Sequence, residues 1–153
     1  MLTRARIDGS GLGDRAAPGQ QILDQLTATA NATAGSAALT VEQILSGWIL
    51  RSGPGAGFTD TWPTADLIIQ AMLNAGVGPQ VGDCFKLIYQ NTVAFAMTFA
   101  AGTGIVSGTG TLNVAASVIR TYYHTLLSTK PQVILVGNTT SGNGILSGFT
   151  AAQ

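Results

Sequence analysis

The sequence predicts a mainly β protein, a small antiparallel β-sandwich or barrel with one or two short helices and an extended N-terminal arm. Three observations carry this. Apolar residues recur with a period of two over most of the second half of the chain. Glycine-rich punctuation separates these short runs, as in FAAGTGIVSGTGTL at residues 99–112. Only one segment, PTADLIIQAML at residues 63–73, has apolar residues at sustained helical spacing.

Taken in order, residues 1–38 form a distinct zone. Arg4, Arg6, Arg15, Asp8, Asp14 and Asp24 concentrate charge there, and Ile22 and Leu26 share one face of a short helical turn. Such a helix is marginal alone and needs something to pack on. The zone is therefore expected to be an arm that orders against a neighbouring subunit. The body is expected over residues 39–137. Thr40 and Gln43 have capping-box spacing, so a short helix starts at residue 40 and stops at Gly47. Residues 48–52, WILRS, then read as a strand halted by GPGAG at 53–57. In the main helix Leu67, Ile68, Ala71 and Met72 form the predicted apolar stripe, and Asn74-Ala75-Gly76 stops it.

From Gly82 the period is two. Phe85, Leu87 and Tyr89 face one side of a strand over residues 83–90, and Val93, Phe95, Met97 and Phe99 are expected on the core face of the next. Gln90-Asn91-Thr92 is expected to make the turn between them. Residues 118–126 and 132–136 read as two more strands joined around Lys130-Pro131. Residues 138–153 form a polar, glycine-rich tail with Ile145, Leu146 and Phe149 as docking points. No internal repeat is evident along the chain.

Composition restricts function. Of the 153 residues only 9% are charged and the formal net charge is zero, against about a quarter charged in ordinary domains. No electrostatic footprint for nucleic acid or an anionic membrane results. With 46% hydrophobic residues, so few charges protect a monomer poorly from association. No segment has the length of a membrane-spanning helix or the pattern of a signal peptide.

Candidate chemistry is thin. The glycine cluster lacks the lysine of a phosphate loop and is not followed by a helix, so its glycines read as turns between short strands. Cys84, His124 and Asp83 supply residue types for nucleophilic catalysis, but nothing places them in one cleft. A single cysteine and a single histidine leave no metal-ligand spacing. No enzyme activity, cofactor or metal is expected. Trp48 and Trp62 are read as core-edge residues or as interface anchors, where tryptophan is enriched.

The order of features in LTVEQILSGWILRSGP, FTDTWPTADLIIQAM and VGDCFKLIYQNTVAFAMTFAAGTGIVSGTGTLNVAASVIRTYYHT resembles small phage virion proteins of the capsid decoration (cement) type. The similarity runs from residue 39 to residue 137 as a series of short motifs. It implies a β-rich body, a homotrimer over junctions of the major capsid protein, and an arm spread on the outside of the head shell, assembled in the host cytoplasm. On that reading Arg4, Arg6, Arg15, Ile22, Leu26, Trp48 and Trp62 are the candidate contacts with the shell or partner subunits. The alternative is a tail-fibre or spike module that binds a host receptor or glycan.

Overall fold

The computed structural model describes residues 27–108 and 112–138. Its elements run β1 (Thr27–Asn31), β2 (Ala37–Ala38), α1 (Val41–Leu45), β3 (Gly47–Arg51), β4 (Phe58–Thr61), α2 (Ala65–Asn74), β5 (Cys84–Asn91), β6 (Met97–Ala100), β7 (Ile105–Ser107), β8 (Ile119–Thr129) and β9 (Gln132–Asn138). The protein is mainly β with two short helices, as expected.

Strand pairing is mixed rather than antiparallel throughout. A six-stranded sheet has the order β1-β3-β5-β8-β9-β7, and a three-stranded sheet the order β2-β4-β6. Odd-numbered strands β1, β3 and β5 pair in parallel in the large sheet, while β2, β4 and β6 pair in parallel in the small one. The chain thus alternates between sheets and coils through three stacked rungs, β1–β2, β3–β4 and β5–β6. Helices α1 and α2 occupy the returns between rungs. Among the described residues antiparallel pairing joins β5 to β8 and β8 to β9, and an isolated antiparallel bridge links Met97 to Val114. Strand β7 then adds in parallel to β9.

Residues 27–38 therefore belong to the body and not to an arm. Thr27–Asn31 lies in register with Gly47–Arg51, and Ala37 with Asp60. The readings of Arg4, Arg6, Arg15, Ile22 and Leu26 fall outside the described residues, as does the tail beyond Asn138.

Local signals fix the helices. Thr40 caps α1 by accepting from the Gln43 amide at 3.2 Å, while the Gln43 side chain accepts from the Thr40 amide at 3.0 Å. That reciprocal pair satisfies two otherwise orphaned N–H groups. Thr64 caps α2, and Gly76 at φ +78° ends it. The buried face of α2 is Ala65, Ile68, Ile69 and Met72, whereas Leu67 is 53% exposed. The stripe lies about one residue round from the expected one because α2 packs against β9 and α1.

The alternation in β5 holds, with Phe85, Leu87 and Tyr89 buried. That expected for residues 93–99 fails. Only Met97 of the four is fully buried, Val93 and Phe99 are half-buried, and Phe95 is 39% exposed. Residues 92–96 are not strand but the corner where the chain leaves the large sheet for the small one. Residues 90–92 accordingly make no hairpin, since β5 and β6 lie in different sheets. The β8–β9 hairpin is as expected and turns at a cis Lys130–Pro131 bond.

Both sheets contribute to one core. Ile49, Leu87, Tyr122, Ile134 and Val136 from the large sheet meet Phe58 and Met97 from the small one. Trp62, which follows β4, sits among Tyr89, Phe99 and Tyr122 with ring centroids 4.5–6.2 Å away. Each such fully buried side chain contributes about 1.5–3 kcal/mol.

Candidate functional site: a buried polar clamp and an open sheet face

Three polar residues occupy one register position in the stacked rungs. Asn31, Arg51 and Asn91 are mutual partners across β1, β3 and β5, and all three are buried. Asn31 and Asn91 play the same local role: each side-chain oxygen accepts from the amide two residues on, Thr33 and Val93, both at 3.2 Å. This Asx turn starts the corner. Asn91 also donates to the carbonyls of Phe95 at 2.8 Å and Ala115 at 3.0 Å.

Arg51 joins the rungs to one another. Its Nε donates to Asp60 Oδ2 at 2.9 Å and its Nη2 to Oδ1 at 3.2 Å, a bidentate pair with both side chains fully buried. Its Nη1 donates to the carbonyls of Thr33 at 2.7 Å, Ser52 at 3.0 Å and Asn31 at 3.3 Å, and Nη2 to that of Gly35. Asp60 accepts further from Tyr89 Oη at 2.5 Å and the Ala37 amide at 3.2 Å. One ion pair thereby touches β1 and its corner, β2, β3, β4 and β5. The Arg51 guanidinium also lies 4.8 Å from the Phe58 ring centroid. Burial first, then the bond to Asp60, push the Tyr89 phenol far above its ordinary range, so it stays a neutral donor. A buried charge pair is tolerated only when its remaining donors and acceptors are satisfied, and here every guanidinium nitrogen has partners.

His124, Asp83 and Tyr122 likewise make contacts that hold the fold. His124 is fully buried, its ring stacked on Phe85 at 4.5 Å, and its Nε2 accepts from Trp62 Nε1 at 3.1 Å. Accepting at Nε2 leaves the neutral ring's proton on Nδ1. Burial pushes its pKa down to about 3, and the neighbouring Phe85 backbone opposes this only weakly. Strands β5 and β8 do pair, but Cys84 and His124 belong to opposite faces of the sheet: His124 pairs with inward Phe85, while Cys84 pairs with Thr125. Burial first, then the Asp83 charge, raise the Cys84 thiol, which disfavours the nucleophilic thiolate. Asp83 instead accepts from the Gln80 amide at 2.8 Å. Among the described residues no group of three His, Cys, Asp or Glu could hold a metal ion. The Tyr122 hydroxyl donates to the Leu112 carbonyl, and burial raises its phenol too.

In the glycine stretch Gly104 has φ +78°, and a Cβ there would lie 2.5 Å from the Gln132 carbonyl oxygen. It marks the close approach of the segment leading into β7 to β9, where the Ile134 amide donates to the Gly104 carbonyl at 2.9 Å. The described part of the cluster, residues 99–108, turns from β6 into the short strand β7.

The two tryptophans separate. Trp62 is 1% exposed and offers no surface to a partner. Trp48 alternates with buried Ile49 and so lies on the outer face of the large sheet, half-buried, beside Ala28 and Ile88 in register. Half-buried Leu50 and Tyr123 belong to the same face. The Trp48 Nε1 is itself buried and has no hydrogen-bond partner among the described residues. Sequence reasoning missed Asn31, Arg51, Asp60 and Asn91, which resemble ordinary loop-edge polar residues. Searches against family models, curated proteins and solved structures find no match for this chain.

Proposed function

We propose that this chain is a non-enzymatic structural protein of a phage particle, a decoration protein that binds the outside of the head shell as a homotrimer and stabilises it. Its partners are the major capsid protein and its own copies. One observation carries the non-enzymatic part: the buried groups with chemical potential, Arg51, Asp60, Tyr89 and His124, are engaged in holding rungs and core together. The resemblance over residues 39–137 supports the particle. The open sheet face around Trp48 and the arginines of the N-terminal segment supply candidate contacts with the shell. Each exposed arginine–carboxylate pair would add only ~0–1 kcal/mol, so attachment rests on apolar burial and on many copies acting together.

The test is co-sedimentation of the purified protein with preassembled, expanded head shells, followed by shell melting. Saturable binding that raises the shell melting temperature is the expected result. Deletion of residues 1–26, which spares the first rung, is expected to weaken it. Binding to host cells or glycans with no binding to shells would select the tail-fibre reading instead.

A further inference from the structure

The large sheet has a second apolar face. Trp48 and Leu50 of β3, Ile88 of β5, Tyr123 of β8 and Leu135 of β9 alternate with the core residues of their strands and point outward, half-buried. None of them belongs to the core cluster, which takes in the buried residues of both helices and of the small sheet. A sheet with one face in water alternates apolar with polar residues, whereas near-continuous apolar strands belong to sheets covered on both faces. Strands β3 and β9 are of the second kind, with WIL at residues 48–50 and VILV at residues 133–136.

Position, shape and charge point to one occupant. Residue 26 directly precedes β1, the edge strand of this face. Stepping the registers Thr27–Gly47 and Trp48–Ile88 back puts position 26 in the row of Ser46 and Lys86, next to the outward row of Ala28, Trp48 and Ile88. The outward residues of β1 are Ala28 and Ala30, both exposed and too small to flank Trp48 and Leu50, with which they pair. In PGQQILDQL at residues 18–26, Ile22 and Leu26 share a helical face that needs something to pack on. Lys86 is the one charge on the described outward face, and among the described residues no carboxylate pairs with it. Asp24 is the one charge in residues 18–26. A second copy of this face would bring another lysine and no counter-charge, and residues 139–153 carry no charged side chain, so neither complements Lys86.

We infer that residues 18–26 of the same chain cover the outer face at its β1 edge, with Ile22 and Leu26 against Trp48 and Ile88 and with Asp24 beside Lys86. Attachment through Thr27, with no linker between, holds the segment at this face at high effective concentration. The inference goes beyond the functional reading and does not rest on it. It leaves Arg4, Arg6 and Arg15, and the part of the face around Tyr123 and Leu135, as candidate contacts with the shell.

The test is NMR spectroscopy of the full chain labelled at the isoleucine and leucine methyls and at tryptophan. Nuclear Overhauser contacts from the Ile22 and Leu26 methyls to the Trp48 indole are the expected result. Ile22→Asp is expected to abolish the Leu26 contacts, to move the Trp48 emission to the red and to increase its quenching by acrylamide. Asp24→Lys is expected to weaken the same contacts, and Lys86→Asp added to it to restore them. Wild-type spectra without these contacts, or with Ile145 or Leu146 methyls at Trp48 in their place, would overturn the inference. In a mixture of methyl-labelled and tryptophan-labelled copies the contacts are expected to vanish. Their persistence there would give the segment to a neighbouring copy and overturn the inference as well. Intact contacts in a chain that does not bind shells would instead count against the functional reading alone.

Discussion

The three stacked rungs meet the β8–β9 hairpin in the large sheet, yet the two regions are held in register by different means. In the hairpin, the order comes from alternation. Tyr122, His124, Leu126, Ile134 and Val136 point inward, and a one-residue slip would turn the whole set outward. In the first rung that pattern is weaker: β1 is Thr-Ala-Thr-Ala-Asn and β2 only two alanines. Register there is set by the column Asn31, Arg51 and Asn91, with Asp60 and Tyr89 closing it across the sheets. The difference teaches that a small-residue rung, too poor in apolar area to specify itself, is specified by buried hydrogen bonds of fixed geometry.

The largest effect should come from removing the guanidinium. Arg51→Met is expected to cost about 3–5 kcal/mol, because it leaves the Asp60 carboxylate buried and uncompensated. Urea denaturation measures this. Adding Asp60→Leu should restore part of the loss, since the stranded charge is then gone; no recovery would mean that the carbonyl contacts of Arg51 dominate.

Next is Gly53→Ala at the second corner. Gly53 has φ +106°, and an added Cβ would lie 2.3 Å from the Ala32 carbonyl oxygen. A loss of about 1–3 kcal/mol is expected from the strained backbone conformation, with the contact adding to it. An unchanged melting temperature would mean that the first rung is not held tightly against the second.

The hairpin half has its own signature, in pH. His124 is neutral in the folded core with its pKa near 3, whereas the unfolded histidine titrates near 6.5. Its contribution to stability is therefore present above pH 6.5 and lost as pH falls toward 3. Between pH 6.5 and 5, above the ordinary carboxylate range, one extra proton on the unfolded chain removes about 2 kcal/mol. His124→Gln is expected to flatten that window even if it lowers stability overall. A slope that persists in the variant would assign the effect elsewhere.

The smallest effect is at α1. Thr40→Ala removes the acceptor for the Gln43 amide and is expected to cost about 1 kcal/mol, measured as a modest fall in melting temperature.

How much of this was legible in the sequence follows the same division. The capping box at Thr40, the core face of β5 and the β8–β9 hairpin all lie within a few residues of their own signals, and local periodicity found them. The rungs escaped because their partners are distant and unevenly spaced. Thr27 pairs with Gly47 twenty residues on, and Ile49 with Tyr89 forty on. The corners between differ in length, so no constant period runs along the chain. Phe95 misled for a related reason: it continues an apparent alternation from Val93 to Phe99, but Asn91 bonds to its carbonyl and turns the chain. The polar column itself reads as ordinary loop edges until Asn31, Arg51 and Asn91 are placed side by side. Of the candidate partner contacts, Trp48 stands on an open face, whereas Trp62 is core.

Amide hydrogen exchange on Arg51→Met, compared with wild type under native conditions, tests most directly whether the two regions are held by different means. If the buried pair is the clamp of the rungs, protection should fall first in residues 27–38 and 58–61 and persist through residues 119–136. A uniform loss across both regions, or protection lost first in the hairpin, would contradict the account.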